Sequence, residues 1–331
     1  MIKLKWSRPL KDKARLIDFS KQGILHVDNS NPFFSIDPEN GESLWHHKFK
    51  SKHQPNQSPI VIDDIVIVLW EKYLSAHELN SGKLLWELEC SKGKACEFPD
   101  YLKSDELDFY CFLFQFKQFI YVSSYAGIIR KIDIMSGEFE IMNSTQSYSV
   151  WLSIGNNELF LSEMPIYKMG FYKLLDSKLE QISNFEREEQ GSFASVQSES
   201  FFFLQFKRTI SVFDSRNQKL LYDIRIDSEL LNNVYEFENR IIIVTNREFF
   251  CLDNNFNKLW NYRFDDLNST CSFSTGMMFH DSYKGLNYLS FETGEIVKVD
   301  LEPQVVYDLH SYDNDLLIVS DETLKLFKVD L

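Results

Sequence analysis

Hydrophobic and polar residues alternate along most of this chain, in short runs separated by turn residues. The clearest stretch has four such runs, at residues 57–63, 64–70, 73–79 and 83–88. A period of two residues is that of a strand with one buried face, and Asp63-Asp64 and Asn80-Ser81-Gly82 are turn signals between runs. No stretch has the spacing of a long amphipathic helix. The pattern therefore predicts an all-β chain built from groups of four short antiparallel strands.

This group of four strands recurs along the whole chain. The first hairpin turn of each repeat is predicted near Gln22, Asp63, Lys117, Asn156, Ser198, Glu238, Thr275 and Asp313. The turns lie about 40 residues apart, except for one longer interval that contains an insertion at about residues 90–106. Self-similarity at such a period is typical of repeat architectures. We predict one domain, residues 1–331, folded as an eight-bladed β-propeller, with seven blades as the alternative.

The last repeat contains only three strands, at residues 304–312, 315–319 and 323–329. The N-terminal segment 2–6 matches the outer-strand segment 83–86 in register, with Trp6 in the place of Trp86. We therefore predict that the N-terminal strand completes the last blade. Closure of this kind limits exposed strand edges.

A short motif precedes the outer strands. In residues 35–45 and 76–86, a small residue is followed by an acid two positions on, a glycine at six and a tryptophan at ten. The glycine supplies a positive φ, the acid caps turn amides, and the aromatic ring packs between blades. The predicted docking residues are Trp6, Trp45, Trp86, Tyr222 and Trp260, with Gly41, Gly82, Gly137 and Gly294.

At these residues the chain resembles the PQQ-like repeat propellers of the quinoprotein alcohol dehydrogenase type, whose docking motif runs Ala-x-Asp-x-x-x-Gly-x-x-x-Trp. Residues 76–86 match it with Glu78 at the acid position, and residues 35–45 match it with Ser35 in place of alanine. The resemblance covers the whole chain in period and two repeats strongly in motif. It implies a propeller that is either a dehydrogenase holding pyrroloquinoline quinone and calcium or a non-catalytic protein-binding member.

The residues favour the non-catalytic branch. The quinone enzymes carry two adjacent cysteines, whereas Cys90, Cys96, Cys111, Cys251 and Cys271 are scattered here. His46 and His47 fall in one predicted strand, so their rings point to opposite faces. The sequence contains no Gly-rich phosphate loop, HExxH motif or nucleophile elbow. We predict no enzymatic activity, no cofactor and no metal site; a quinone- or sugar-binding enzyme that uses the central channel is the alternative.

Charge narrows the class of partner. The chain has 35 basic and 49 acidic residues, a formal net charge of −14. Such a charge disfavours nucleic acid and anionic membranes and favours a protein partner with a basic surface. The N-terminus has no apolar signal segment, and no apolar run approaches the roughly 20 residues of a membrane span. We expect a bacterial protein that is cytoplasmic, monomeric when alone, and has reduced cysteines.

The longest loops are candidates for partner binding. In this strand order the loops between blades and those inside each middle hairpin share one face, and the enlarged ones lie at residues 90–106, 163–170 and 183–191. Aromatic residues surrounded by acids suit a protein hot spot, although a solvated loop is the alternative. The predicted partner-binding residues are Glu97, Phe98, Asp100, Tyr101, Asp105, Tyr167, Phe185, Glu186, Glu188 and Glu189. One concrete version of this function is an immunity protein that neutralises a toxin.

Overall fold

The chain is all-β, as the alternating pattern predicts. A computed structural model describes residues 2–10, 14–20, 23–28, 32–48, 59–70, 73–89, 110–116, 118–124, 129–142, 150–155, 158–163, 168–175, 178–186, 193–198, 200–206, 208–217, 219–226, 230–301, 306–320 and 323–330. These residues form strands and turns and no helix. Their 32 strands make eight four-stranded antiparallel sheets.

Five of these sheets contain the strands nearest the two chain ends. In spatial order they are β1 (Ile2–Pro9), β32 (Thr323–Val329), β31 (Asp315–Val319) and β30 (Asp308–Tyr312); β2 (Ala14–Ser20), β3 (Gly23–Asp28), β4 (Pro32–Ile36) and β5 (Ser43–Lys48); β6 (Ile60–Ile62), β7 (Ile65–Trp70), β8 (Tyr73–Glu78) and β9 (Leu84–Glu89); β22 (Leu231–Phe237), β23 (Arg240–Thr245), β24 (Glu248–Asp253) and β25 (Lys258–Arg263); and β26 (Leu267–Phe273), β27 (Gly276–Asp281), β28 (Gly285–Ser290) and β29 (Ile296–Lys298).

The other three sheets come from the middle of the chain. They are β10 (Tyr110–Phe116), β11 (Phe119–Ser124), β12 (Ile129–Asp133) and β13 (Phe139–Met142); β14 (Val150–Gly155), β15 (Glu158–Glu163), β16 (Lys168–Leu175) and β17 (Lys178–Glu186); and β18 (Phe193–Gln197), β19 (Phe201–Phe206), β20 (Thr209–Asp214) and β21 (Leu220–Arg225).

The residues divide into two compact units by their contacts. One unit comprises Met1–Ile67, His77–Leu84 and Tyr235–Leu331, and the other comprises Val68–Ala76 and Leu85–Val234. The sheets built from β1–β5 and β26–β32 lie wholly in the first unit, and those built from β10–β21 lie wholly in the second. The single domain expected from the sequence stays a prediction.

The N-terminal strand completes the C-terminal sheet. β1 pairs antiparallel with β32, from Ile2 opposite Val329 to Pro9 opposite Thr323, with a register shift between Leu4 and Trp6. This pairing confirms the prediction made from the match of residues 2–6 to an outer strand. It joins the two chain ends through backbone hydrogen bonds.

The second and third strands of the sheets are more buried than simple alternation predicts. In β23 and β24, all residues but Arg240 and Asp253 are buried, and in β27 all six are. The outer strand β25, in contrast, is mostly exposed. Strands covered on both faces read as continuous apolar runs rather than alternating ones. The core of these sheets therefore lies in their two middle strands.

Outer-strand tryptophans pack on glycines in the turns of neighbouring sheets. The four pairs are Trp6 on Gly41, Trp45 on Gly82, Trp86 on Gly137 and Trp260 on Gly294, each pair within one compact unit. At Gly82, φ is +67°, and an added Cβ would lie 2.5 Å from Trp45 Cε3. The turn therefore needs glycine twice, for its backbone conformation and for the space that the indole occupies.

The same turns accept the indole N–H groups. The Nε1 atoms of Trp6, Trp45 and Trp86 donate to the backbone oxygens of Pro38 at 2.9 Å, Leu79 at 2.5 Å and Ile134 at 2.9 Å. In each case the acceptor is the residue that follows the acid of the motif. Such a bond matters because an unpaired buried N–H is costly.

The Trp260 pair departs from this arrangement. The equivalent carbonyl oxygen, that of Phe291, accepts a hydrogen bond from Arg240 Nη1 at 3.0 Å, and the same nitrogen donates to Glu292 O. Trp260 Nε1 is buried and has no hydrogen-bond partner. The guanidinium thus takes the acceptor that indoles use in the other three turns.

The acids cap the turns, as predicted. Asp133 Oδ1 accepts from the backbone N–H groups of Met135 at 3.0 Å and Ser136 at 2.9 Å, and the pKa of Asp133 is lowered chiefly by its bonds with Ser136.

The shorter repeat at residues 252–260 has no glycine at this turn. There Phe256 takes a positive φ of 63°, and its N–H donates to Asp253 O at 2.9 Å.

The remaining predicted docking residue, Tyr222, lies on β21 and is 46 % exposed, whereas Trp45 is 9 % exposed. A docking role for Tyr222 therefore stays a prediction.

Replacement of Gly82 by alanine should destabilise the protein more than the same change at Gly285. Both residues have positive φ, but a Cβ at Gly285 would meet no atom within 4 Å. We expect Gly285→Ala to lower the free energy of unfolding by about 1 kcal/mol, the cost of this backbone conformation. Gly82→Ala should cost roughly 1 to 3 kcal/mol more because the methyl group overpacks Trp45. Urea unfolding measures both; equal losses would contradict the docking role.

Candidate functional site

The predicted partner-binding residues lie outside the part of the chain that the structure describes. This holds for Glu97, Phe98, Asp100, Tyr101, Asp105, Tyr167, Glu188 and Glu189. Phe185 and Glu186 belong to β17, but their side chains are not described either. Their role in binding stays a prediction.

Two described loops are of the same kinds that the sequence singled out for binding. One is the turn between β27 and β28, the middle hairpin of its sheet, and the other is the linker between β25 and β26. Together they carry an aromatic and acidic patch in the first compact unit. We call it the Tyr283 surface; it consists of Tyr262, Asp265, Asp266, Asp281, Tyr283 and Lys284.

The turn is shaped by Asp281, the last residue of β27. Its Oδ1 accepts hydrogen bonds from the backbone N–H groups of Tyr283 at 2.9 Å and Lys284 at 3.1 Å. Gly285 then begins β28 with a φ of +80°. An aspartate at the start and a glycine at the end are favoured in such turns. The result is a Tyr283 side chain that is 80 % exposed.

The linker braces this turn. The Ser282 N–H donates to Asp266 O at 3.0 Å, and the Ser282 hydroxyl donates to Asp266 Oδ2 at 2.7 Å. The same hydroxyl lies 3.0 Å from Asn268 Oδ1, and Asn268 Nδ2 lies 3.2 Å from His280 Nδ1. Turn and linker are therefore joined by both main-chain and side-chain bonds.

The Tyr283 surface has an excess of negative charge. Lys284 Nζ lies 3.3 Å from the Tyr262 hydroxyl and 3.9 Å from one oxygen of both Asp265 and Asp281. The hydrogen bond with Tyr262 raises the pKa of Lys284, and the two carboxylates add to this. Burial lowers the pKa of His280, partly offset by Asp281. The ammonium of Lys284 therefore lies near the carboxylates of Asp265 and Asp281, and Asp266 adds a third carboxylate to the surface.

Sequence reasoning missed this patch. It did not single out Asp265, Asp266 or Tyr283. The run Asp281-Ser-Tyr-Lys-Gly285 is itself a hairpin signal, since an aspartate and a glycine bracket the turn. It would have placed Tyr283 at the tip, although the bond to the linker has no local signal.

Two histidines from different repeats come together. The rings of His47 and His77 have centroids 4.8 Å apart, whereas His46 lies on the other face and is exposed. His77 is fully buried, with Nδ1 3.3 Å from Gly82 O. Burial, and then His47, lower the pKa of His77 to about 4. No group of three or more His, Cys, Asp or Glu side chains that could hold a metal occurs among the described residues.

A polar cluster lies on the first strands of three sheets in the first unit, where β30 contacts both β26 and β2. Asp308 Oδ1 accepts from Ser269 Oγ at 2.7 Å, and Asp308 Oδ2 lies 3.1 Å from His310 Nε2. Burial raises the pKa of Asp18, although His310 opposes the shift. Asp18 Oδ2 and His310 Nε2 are buried without an aligned hydrogen-bond partner. We call Asp18, Ser269, Asp308 and His310 the first-strand cluster.

The described thiols are buried and free. Burial raises the pKa of Cys251 to about 11 and that of Cys271 to about 12, so both are protonated and poorly nucleophilic at neutral pH. Cys90 and Cys96 lie outside the described residues, as does the side chain of Cys111.

Within the described ranges, no helix is long and apolar enough to cross a membrane.

Comparisons with known proteins identify the fold. No protein-family model matches this chain. No curated protein matches its sequence. Among solved structures, the computationally designed Ika8 protein has a TM-score of 0.75 at 15 % identity, over 99 % of this chain and 100 % of that one.

Two natural proteins are also similar in structure. BamB from Moraxella catarrhalis has a TM-score of 0.71 at 11 % identity, over 100 % of this chain and 98 % of that one. Sqt1 from Saccharomyces cerevisiae has a TM-score of 0.72 at 11 % identity, over 100 % of both chains. Both are β-propellers, so this chain has the fold of a β-propeller. At these identities the likeness concerns the fold alone.

The buried His77 should make the protein sensitive to acid. Because its pKa is about 4 when folded and about 6.5 when unfolded, the unfolded chain takes up a proton first as the pH falls. This lowers the free energy of unfolding between pH 6.5 and 4, by roughly 3 kcal/mol in all. Urea unfolding at pH 7 and pH 4.5 measures it. His77→Gln should reduce the loss and His46→Gln should not; the same loss in both variants would contradict the assignment.

Proposed function

We propose that this chain is a non-enzymatic, protein-binding β-propeller whose eight sheets are the blades of one ring. In the concrete form of the proposal it is a cytoplasmic immunity or inhibitor protein that neutralises a toxin with a basic surface. The observation that carries the proposal is the Tyr283 surface. A Tyr283 side chain that is 80 % exposed, on a braced turn beside carboxylates, has the chemistry of a binding hot spot.

The energetics of binding support a surface of this kind. A tyrosine buries a large area with few rotatable bonds, and a braced turn loses little further freedom when it binds. The Ser282 bonds to Asp266 hold the turn before any partner arrives. Non-catalytic members of the family that the repeats resemble bind proteins, and the fold is consistent with such a role.

Charge supports a basic partner. The net charge of −14 attracts a cationic protein over long range and speeds its association. Asp265 and Asp266 place part of that charge beside the exposed Tyr283. An acidic inhibitor that covers the basic surface of a toxin would use the same steering.

Co-expression with the product of each neighbouring gene tests the proposal. We expect one product to co-purify in a 1:1 complex, and its growth arrest, if it is a toxin, to be relieved. Tyr283→Ala combined with Asp265→Lys should weaken that complex at least tenfold, because it removes an anchor and reverses a charge. Leu44→Ala, which changes an exposed side chain on β5, should have no effect.

Changes in the undescribed loops extend this test. Replacement of Glu97, Tyr101, Glu188 and Glu189 by alanine or lysine should also weaken the complex. If no neighbouring product binds, or if the complex tolerates both sets of changes, a partner-binding role of the Tyr283 surface and of these loops is wrong.

A quinone- or sugar-binding enzyme is the second candidate, and the first-strand cluster is the observation that favours it. First strands of propeller blades line the central channel, where many propellers place polar residues. The buried Asp18 Oδ2 has no hydrogen-bond partner, and a polar ligand would supply one.

A thermal-shift screen tests this second candidate. Pyrroloquinoline quinone with calcium, and a panel of sugars, are the probes. A bound ligand should raise the melting temperature of the wild type but not of Asp18→Asn, with Asp300→Asn as the exposed control. Melting temperatures that stay constant with every probe would exclude this candidate.

A further inference from the structure

The ammonium of Lys284 lies among Tyr262, Asp265 and Asp281, whose chemistry suits a cation. Its Nζ lies 3.3 Å from the Tyr262 hydroxyl and 5.3 Å from the centroid of the Tyr262 ring, at the hydroxyl end of the ring. Carboxylate oxygens of Asp265 and Asp281 are each 3.9 Å away. An aromatic face combined with carboxylates is the environment in which proteins bind ammonium and guanidinium groups.

These side chains hold Lys284 loosely. Its side chain is 46 % exposed, and both carboxylates lie beyond hydrogen-bond distance. The ion pair of Lys131 with Glu140, in contrast, has a separation of 2.7 Å. The pair with the exposed Asp265 contributes little, whereas the buried carboxylate of Asp281 needs another cation when Lys284 leaves.

Asp281 is the residue that Lys284 leaves unsatisfied. Its side chain is fully buried, and its Oδ1 holds the turn through Tyr283 and Lys284 N–H groups. Its Oδ2 has no hydrogen-bond partner. A buried carboxylate oxygen without a donor is unfavourable, so a ligand that donates to it is favoured.

We infer that Tyr262, Asp265 and Asp281 form a binding site for an arginine side chain of a protein partner, and that Lys284 is an internal stand-in which this arginine displaces. A guanidinium is planar, so it stacks on the Tyr262 ring more fully than an ammonium does. Its several N–H groups can donate to Asp265 Oδ2 and Asp281 Oδ2 at once. The exposed Tyr283 precedes Lys284 in the same turn and offers an aromatic ring to a partner.

The inference rests on the proposed function, since it names the side chain by which a basic partner binds. It also explains why the surface keeps a lysine among carboxylates. Lys284 neutralises part of the repulsion between Asp265 and Asp281 while the partner is absent. Lys284 also lowers the affinity of the site for every cation. Only a ligand that makes better hydrogen bonds and ring contacts than Lys284 replaces it.

A short labelled peptide tests the site without knowledge of the partner. The probe is a fluorescein-labelled peptide of glycine with two arginines, and its control carries citrulline, which has the same shape without the charge. Fluorescence anisotropy at low ionic strength measures their affinity for the whole chain. We expect the arginine peptide to bind and the citrulline peptide to bind at least tenfold more weakly.

Two matched pairs of variants locate the binding. Lys284→Met and Lys298→Met remove one positive charge each, but Lys298 is exposed on β29, opposite Asn287 of β28. We expect Lys284→Met to tighten binding about threefold to fivefold and Lys298→Met to leave it within about 1.5-fold. Asp265→Asn should weaken binding about fivefold, and Glu295→Gln, in a turn at the opposite end of the same sheet as Tyr283, should not.

The outcomes separate this inference from the proposed function. Equal effects within each matched pair, or equal binding of the two peptides, would overturn the arginine site. If Lys284→Met leaves the affinity of a captured partner unchanged, the protein-binding function stands and the site is wrong. If the peptide follows the expected order but no gene neighbour binds, the site stands and the proposed function fails.

Discussion

The packing of an outer-strand indole on a glycine of the neighbouring sheet is the contact on which most of this structure depends. At Gly82 the backbone has a φ of +67°, and the indole of Trp45 fills the place of a side chain. The same turn offers the Leu79 carbonyl oxygen to the indole N–H. This turn therefore meets three requirements together. Its glycine allows the backbone conformation and leaves space for the indole, and its carbonyl oxygen accepts the indole N–H. Among the described residues four such contacts join neighbouring sheets, three in the first compact unit and one in the second.

This contact also explains where the chain is buried. Sheets held face to face cover both sides of their middle strands, so β27 is buried throughout, whereas the edge strand β25 remains exposed. The Trp260 pair shows which part of the arrangement can vary. There Arg240 donates to Phe291 O in place of the indole, while the ring still packs on Gly294. The space above the glycine is kept, and the hydrogen-bond donor is exchanged.

The buried strands give the turns a rigid base, and function is proposed at such a turn. Asp281 ends a fully buried strand and caps the turn, and Ser282 joins the turn to the linker through Asp266. Tyr283 is therefore exposed on a turn that hydrogen bonds hold in place. In the proposed function, the excess of carboxylates around it attracts a basic partner, and Lys284 moderates that attraction. A surface that is ordered before binding loses less conformational entropy when the partner arrives.

The sequence by itself determined the secondary structure and the repeat. The runs predicted at 64–70 and 73–79 became β7 and β8 to within one residue, and the predicted first turns at Asp63, Glu238 and Asp313 all have positive φ. These features follow from local turn chemistry and from a period of two. Only the tertiary structure decided that middle strands are buried on both faces, that His47 meets His77, and that Lys284 lies between two carboxylates. Those outcomes depend on residues from different sheets or loops, whose approach is set by packing and has no local pattern.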